Sequence, residues 1–168
     1  PIKLDDVMLV TKNGYALRFN IEEVPVIGAK AAGVKAINLK KDDVLAAAFI
    51  ANTDSLYLLT QRGSLKRMAV ADIPVTSRAN RGLQVLRELK TKPHRVFSAG
   101  PVFGEAVDFD LFTTEAEASE DQILQVLSNK GTAYEINLAD LSLSERTSNG
   151  SFISDTISDE EVFSAYIK

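Results

Sequence analysis

This chain repeats itself, and that limits its fold more than any other property. Residues 9–33, 58–82 and 126–150 align with one another without a gap. A recurring pattern of this kind marks one supersecondary unit used three times. Each segment opens on two aliphatic residues and a hydroxyl residue, Thr11, Thr60 or Ser128, and reaches a glycine three positions later: Gly14, Gly63 and Gly131. The steps Asn13-Gly14, Arg62-Gly63 and Lys130-Gly131 lie between alternating runs. They predict β-hairpin turns that need positive φ.

The run after each turn alternates with period two. Leu17, Phe19 and Ile21 fall on one face, as do Lys66, Met68 and Val70, then Tyr134, Ile136 and Leu138. The other face carries Ala16, Arg18 and Asn20, then Leu65, Arg67 and Ala69, then Ala133, Glu135 and Asn137. That pattern predicts a strand with one buried face. An acidic-aliphatic pair follows each time (Glu23-Val24, Asp72-Ile73, Asp140-Leu141), and a small, polar loop ends at Gly33, Gly82 or Gly150. A further strand is expected after each loop, then a β-rich run at 44–49, 96–99 and 162–165. Each unit thus offers about four short strands, the size of one propeller-type blade. The units fall at approximately 7–50, 51–101 and 102–168.

Gly14 and Gly63 are 49 residues apart, Gly63 and Gly131 are 68 apart, and the excess lies mainly in 100–125. Its acidic centre, 114–121, is expected to be an exposed hairpin tip. Ser119, Glu120, Asp121 and Gln122 resemble a helix cap, but the repeat alignment favours a strand at 123–128.

The run Thr60-Gln61-Arg62-Gly63-Ser64-Leu65-Lys66-Arg67 with Asp72-Ile73-Pro74, and Thr11-Lys12-Asn13-Gly14-Tyr15-Ala16-Leu17-Arg18 with Glu23-Val24-Pro25, resemble the repeat of the C-terminal domains of DNA gyrase and topoisomerase IV A subunits. The third unit has diverged, with Glu135 where the others have Arg18 and Arg67. The resemblance implies an all-β fold, a propeller-like β-pinwheel, here of about three four-stranded antiparallel blades. It also implies a rim that binds and bends double-stranded DNA without reading its sequence. Family members commonly carry about five or six blades, so three units, opening on Pro1 rather than Met, imply a fragment or a shortened domain. No Gln-Arg-Arg-Gly-Gly-Lys-Gly box occurs, which points to the topoisomerase IV branch rather than gyrase. The partners implied are duplex DNA, a B subunit and the remainder of the parent polypeptide. The location implied is the cytoplasm, at the nucleoid.

Net charge is −4, but it is unevenly distributed. Residues 1–57 are neutral, 58–98 carry a net +7, and 99–168 carry a net −11. A polyanion responds to the local field, so the middle third can attract phosphate while the last third repels it. The candidate DNA contacts are Arg62, Lys66, Arg67, Arg78 and Arg81, with Lys12, Arg18, Lys30 and Lys35 as a weaker set. Lys90, Lys92, His94 and Arg95 extend the basic stretch. The competing reading of such charges is a solvated sheet edge that resists strand-to-strand aggregation. A second functional reading makes the acidic last third a docking surface for a basic protein.

Catalysis finds no support in the sequence. His94 is the sole histidine, and it stands in a basic loop without a carboxylate nearby. Adjacent acids such as Glu22-Glu23, Asp42-Asp43 and Glu160-Glu161 point to opposite faces of a strand and poorly share a metal. Absence of cysteine excludes disulfides and thiolate metal sites. There is no Walker-type glycine loop, and no apolar run approaches the ~18 residues that span a bilayer. No cofactor is expected. The family's DNA-cleaving tyrosine belongs to a separate domain, so Tyr15, Tyr57, Tyr134 and Tyr166 are read as packing residues.

Overall fold

The computed structural model describes residues 6–41, 43–103 and 122–168. The acidic insertion centre at 114–121, Asp42 and the cap-like residues 119–121 lie outside the described residues. Eleven strands are present among the described residues: β1 (Asp6–Thr11), β2 (Tyr15–Asn20), β3 (Leu45–Ile50), β4 (Ser55–Thr60), β5 (Ser64–Ala69), β6 (Leu83–Gln84), β7 (Val96–Val102), β8 (Ile123–Ser128), β9 (Ala133–Asn137), β10 (Ser151–Phe152) and β11 (Val162–Ile167). Among the described residues there is no α-helix.

The strands form three antiparallel sheets, ordered β3-β1-β2-β6, β10-β5-β4-β7 and β11-β8-β9. The predicted hairpins are β1–β2, β4–β5 and β8–β9, and their glycines Gly14, Gly63 and Gly131 all take positive φ. The segment 123–128 is the expected strand, β8.

The sheets do not coincide with the sequence units. The short strands after Gly82 and Gly150 leave their own units and join the preceding sheets, whereas the strand expected after Gly33 does not form: among the described residues the chain has no strand there before β3. β6 of the second unit pairs with β2 (Tyr15 opposite Gln84), and β10 of the third pairs with β5 (Leu65 opposite Ser151). Each exchanged strand therefore completes its neighbour. The third sheet has three strands among the described residues.

Burial also departs from a single buried face. β4 is buried along its whole length, because the second sheet is packed on both sides. Leu56 and Leu58 join Met8, Val10, Met68 and Val96 in a core between the first and second sheets. Tyr57 and Leu59 point the other way, to Leu65, Leu124, Val126 and Leu138 between the second and third. At ~25 cal/mol per Å² of apolar surface, these face-to-face layers supply the main driving force. A smaller cluster, Leu9, Leu17 and Phe19, is covered by Ala36 and Ile37 of the long loop after β2.

The acidic-aliphatic pairs turn out to close 3-10 turns, Ile21–Glu23, Val70–Asp72 and Leu138–Asp140. The aliphatic residue after each turn donates its N–H back to the first carbonyl, as Ile73 does to Val70 at 3.0 Å. Ile21 thus lies in a turn and is exposed, not on the inward face shared with Leu17 and Phe19.

Candidate nucleic-acid interface

The recurring hydroxyl has a local task. Thr11, Thr60 and Ser128 accept the backbone N–H of Tyr15 (3.1 Å), Ser64 (3.2 Å) and Thr132 (3.1 Å), which pins each hairpin turn. The turn places Lys12 and Arg62 at the tips of the first two hairpins. The next unit holds both tips in place: Val85 donates its N–H to Gly14, and Ile153 donates to Gly63.

The loops that end at Gly82 and Gly150 carry the chain from one sheet to its neighbour. A Cβ on Gly82 (φ +88°) would lie 2.3 Å from the carbonyl oxygen of Ala16, and one on Gly150 (φ +74°) 2.4 Å from that of Leu65. Only glycine permits that approach together with that backbone conformation. Gly33, at the same position in the first unit, has nothing within 4 Å.

Several of the expected DNA contacts are consumed at these junctions. Arg18 pairs with Asp6 at 2.7 Å and directs Nη1 to the carbonyls of Val70 (3.4 Å) and Ile73 (3.3 Å) in the next unit's 3-10 turn. Arg67 repeats the motion one unit on, donating to Ala139 (3.2 Å) and Leu141 (3.4 Å). Arg78 donates from Nη1 to the carbonyl of Lys35 (2.7 Å) and from Nε to that of Glu23 (3.0 Å). Arg146 makes the equivalent contact to the carbonyl of Gln84. These are arginine clasps between units, each donating to backbone carbonyls of a neighbouring unit, most of them in or beside its 3-10 turn or loop.

Lys66 departs furthest from the expectation of an edge cation. It is 2% exposed. Its Nζ donates to the carbonyls of Val85 (2.5 Å), Arg146 (2.6 Å) and Ser148 (2.8 Å), with Glu145 at 3.4 Å. Burial, and then the nearby Arg146, push its pKa down to about 8 against the opposing pull of Asp72. An ammonium has three protons to donate, and here all are directed at carbonyls. Lys66 therefore offers nothing to an outside ligand.

Arg81, Lys12 and Lys30 remain available. Arg81 stacks its guanidinium over the Tyr15 ring at 3.8 Å and makes no hydrogen bond among the described residues, where its buried Nε is unpartnered. It borders a groove of about 280 Å³ lined also by Arg18, Thr76 and Asn80. Lys12 and Lys30 are exposed. Arg62 is half-buried and partly engaged, donating Nη1 to the Lys92 carbonyl (2.9 Å) and the His94 ring (3.1 Å), with Phe152 beneath it at 5.5 Å. Exposed Arg87, Lys90 and Lys92 lie on the segment that follows the first junction. Arg95 is paired with Glu88 at 3.1 Å.

His94 is buried, not a surface loop residue. Nδ1 meets Thr60 Oγ1 at 3.1 Å, and Nε2 accepts from Arg62. Burial first, and Arg62 second, lower its pKa. The ring is neutral at pH 7, with its proton on Nδ1 directed to Thr60. That is a packing role. Among the described residues no group of acidic, histidine or cysteine side chains could hold a metal ion. In the third unit Glu135 accepts from Gln125, and among the described residues no clasp is made from this position.

Comparison with known proteins adds the following. The family model described as DNA gyrase C-terminal domain, beta-propeller, matches residues 5–52 and 54–102. The A subunit of DNA topoisomerase 4 from Streptococcus pneumoniae serotype 4 is 71% identical over 168 residues, covering 100% of this chain and 20% of the relative. The chain thus spans about a fifth of the length of that relative. Among solved structures, the C-terminal domain of DNA topoisomerase IV superposes with a TM-score of 0.80 at 32% identity, covering 98% of this chain and 46% of the other. The DNA gyrase A C-terminal domain superposes at 0.73 and 20% identity, covering 98% and 51%, and shares the fold.

Proposed function

This chain belongs to the family of DNA gyrase C-terminal domain β-propellers, and on that premise we propose that it is a DNA-binding and DNA-bending accessory domain of a type IIA topoisomerase IV A subunit. Its task is to hold a curved duplex segment against the rim and present it for strand passage, in support of supercoil relaxation and decatenation. Bond breakage and ATP hydrolysis belong to other parts of the assembly, in which A and B subunits work together in the cytoplasm at the nucleoid.

The observation that carries this reading is the division of labour among the cations. The backbone frame consumes Arg18, Arg67, Arg78 and Lys66, yet leaves Arg81 stacked and without a hydrogen-bond partner among the described residues. A guanidinium held rigid by an aromatic ring loses little freedom when a phosphate arrives. Lys12, Lys30, Arg87, Lys90 and Lys92 add exposed charge on the same units. None of these features reads base edges, so binding is sequence-nonspecific and driven by counterion release.

Fluorescence anisotropy with linear duplex DNA at graded salt tests the proposal. Affinity should fall steeply with salt, and the slope should shrink when Arg81, Lys12 and Lys30 become Ala. Absence of binding at low salt by a folded protein would refute it. It would favour the acidic last third as a protein-docking surface instead.

A further inference from the structure

Each unit exposes one aliphatic residue at the same position, three residues beyond the last residue of its 3-10 turn: Val26, Val75 and Leu143. Val26 is fully exposed, Val75 is 50% exposed and Leu143 60%. The preceding residues Pro25, Pro74 and Ser142 vary, and the apolar character of this position does not. Isolated exposed aliphatics are ordinary on protein surfaces. Recurrence at one structural position in three units is not explained by chance exposure.

Two of these side chains are held on rigid backbone. Val75 forms a parallel bridge with Arg18, and Thr76 donates its N–H to the Arg18 carbonyl at 2.8 Å. Leu143 forms the same bridge with Arg67, and Ser144 donates to the Arg67 carbonyl at 2.8 Å. The arginine clasps described above lock the same segments from the other side. Each stud therefore stands at the start of a junction loop whose cations include Lys30 in the first unit and Arg81 in the second.

We infer that Val26, Val75 and Leu143 are wedges that press into the minor groove of the bound duplex and partly unstack a base step, one per unit. The inference rests on the DNA-binding reading and extends it from charge to shape. Minor-groove binders bend DNA by inserting rigid apolar side chains between base steps while neighbouring cations hold the phosphates. One wedge per unit distributes the bend around the rim. A protein partner would instead need a contiguous apolar patch. Val24 and Ile27 widen the stud of the first unit, but their counterparts in the second and third units are the buried Ile73 and half-buried Leu141 and the polar Thr76 and Ser144, so no such patch recurs. The wedges should favour flexible pyrimidine–purine steps, because those steps resist unstacking least.

The test uses this 168-residue chain and duplexes carrying 2-aminopurine beside a TA step, with end-to-end energy transfer to report bending. The wild type should raise 2-aminopurine fluorescence several-fold and shorten the end-to-end distance. Val26→Ser, Val75→Ser and Leu143→Ser combined should abolish the fluorescence gain and relax the bend, while the salt slope of affinity stays unchanged. All three positions are exposed, so the variant keeps the fold, checked by circular dichroism. Val75→Phe should enlarge the signal. Binding without any 2-aminopurine response in the wild type, or an unchanged response in the triple variant, overturns the wedges and leaves the DNA-binding reading intact. Loss of the salt slope in the triple variant also overturns the inference, since it would place these residues in phosphate contact. No binding by the wild type at low salt defeats the DNA reading itself and the wedges with it.

Discussion

The two junctions between units use the same frame and handle positive charge in opposite ways. At both, a glycine admits a strand to the preceding sheet, one arginine clasps the next 3-10 turn, and another reaches back to a carbonyl. At the first junction, Leu17 fills the inward position on β2, and Arg81 of the loop rests outside on Tyr15. At the second, the inward position on β5 is Lys66, which draws the loop carbonyls around itself, and Asn149 stands where Arg81 stood. Asn149 accepts from the Arg87 N–H, and its carbonyl accepts from Ser64. One junction presents a cation and the other encloses one. Charge counted along a sequence therefore overstates what a ligand meets: much of the +7 in residues 58–98 is used to hold units together.

The shared frame can be broken at its glycines, and this is the largest effect expected. Gly82→Ala and Gly150→Ala should each cost about 4 kcal/mol, since the added Cβ overlaps a backbone oxygen in a φ region that disfavours side chains. Gly33→Ala should cost only about 1 kcal/mol, because it meets no neighbour. Urea unfolding of the three variants measures the contrast, and equal losses at all three positions would contradict the role given to close approach.

The difference between the junctions is sharpened by a pair of substitutions. Lys66→Met should destabilise by about 3 kcal/mol, because it strands buried carbonyls without donors, and should leave the salt slope of DNA binding unaltered. Arg81→Ala should cost under ~1 kcal/mol of stability and lower that slope by roughly 0.9. Unfolding and salt titration of both variants would erase the distinction if their profiles were exchanged.

The smallest effect is acid sensitivity at the second hairpin tip. His94 is held below its ordinary pKa by burial and by Arg62. Below about pH 6.5 the unfolded chain takes up a proton that the folded chain refuses, so this contribution to stability falls as pH drops toward the folded value. His94→Gln should flatten the decline in thermal midpoint between about pH 7 and pH 5 by a few degrees. A variant as acid-sensitive as the wild type would remove His94 from the account.

The repeats, hairpins and junction glycines were legible in the sequence because each is a local requirement: a turn needs positive φ, and a strand needs alternation. Strand exchange was not, since the pattern shows that a strand follows Gly82 without showing whose edge it joins. The 3-10 turns were hidden because Ile21, Val70 and Leu138 continue the period of the strand before them. Lys66 was the instructive case. Alternation had placed it on the inward face with Met68 and Val70, and its charge argued for the outside. The deciding partners, the carbonyls of Glu145, Arg146 and Ser148, are far away in sequence. Arg18 and Arg67 misled for the same reason: their partners belong to the following unit.

Exchanged strands also have a consequence for the order in which this protein can be made. The first sheet has its edge at β2 until Gln84 has left the ribosome, and the second has its edge at β5 until Phe152 has done so. During synthesis, which proceeds from the N-terminus, each finished hairpin waits with an open edge for a strand encoded dozens of codons downstream. A pause after β3 has emerged but before Gln84 has done so would expose the three-stranded sheet β3-β1-β2, ready to accept the wrong strand. The fold is thus assembled with a built-in delay, in which each of the first two sheets is completed only by the arrival of the unit that follows it.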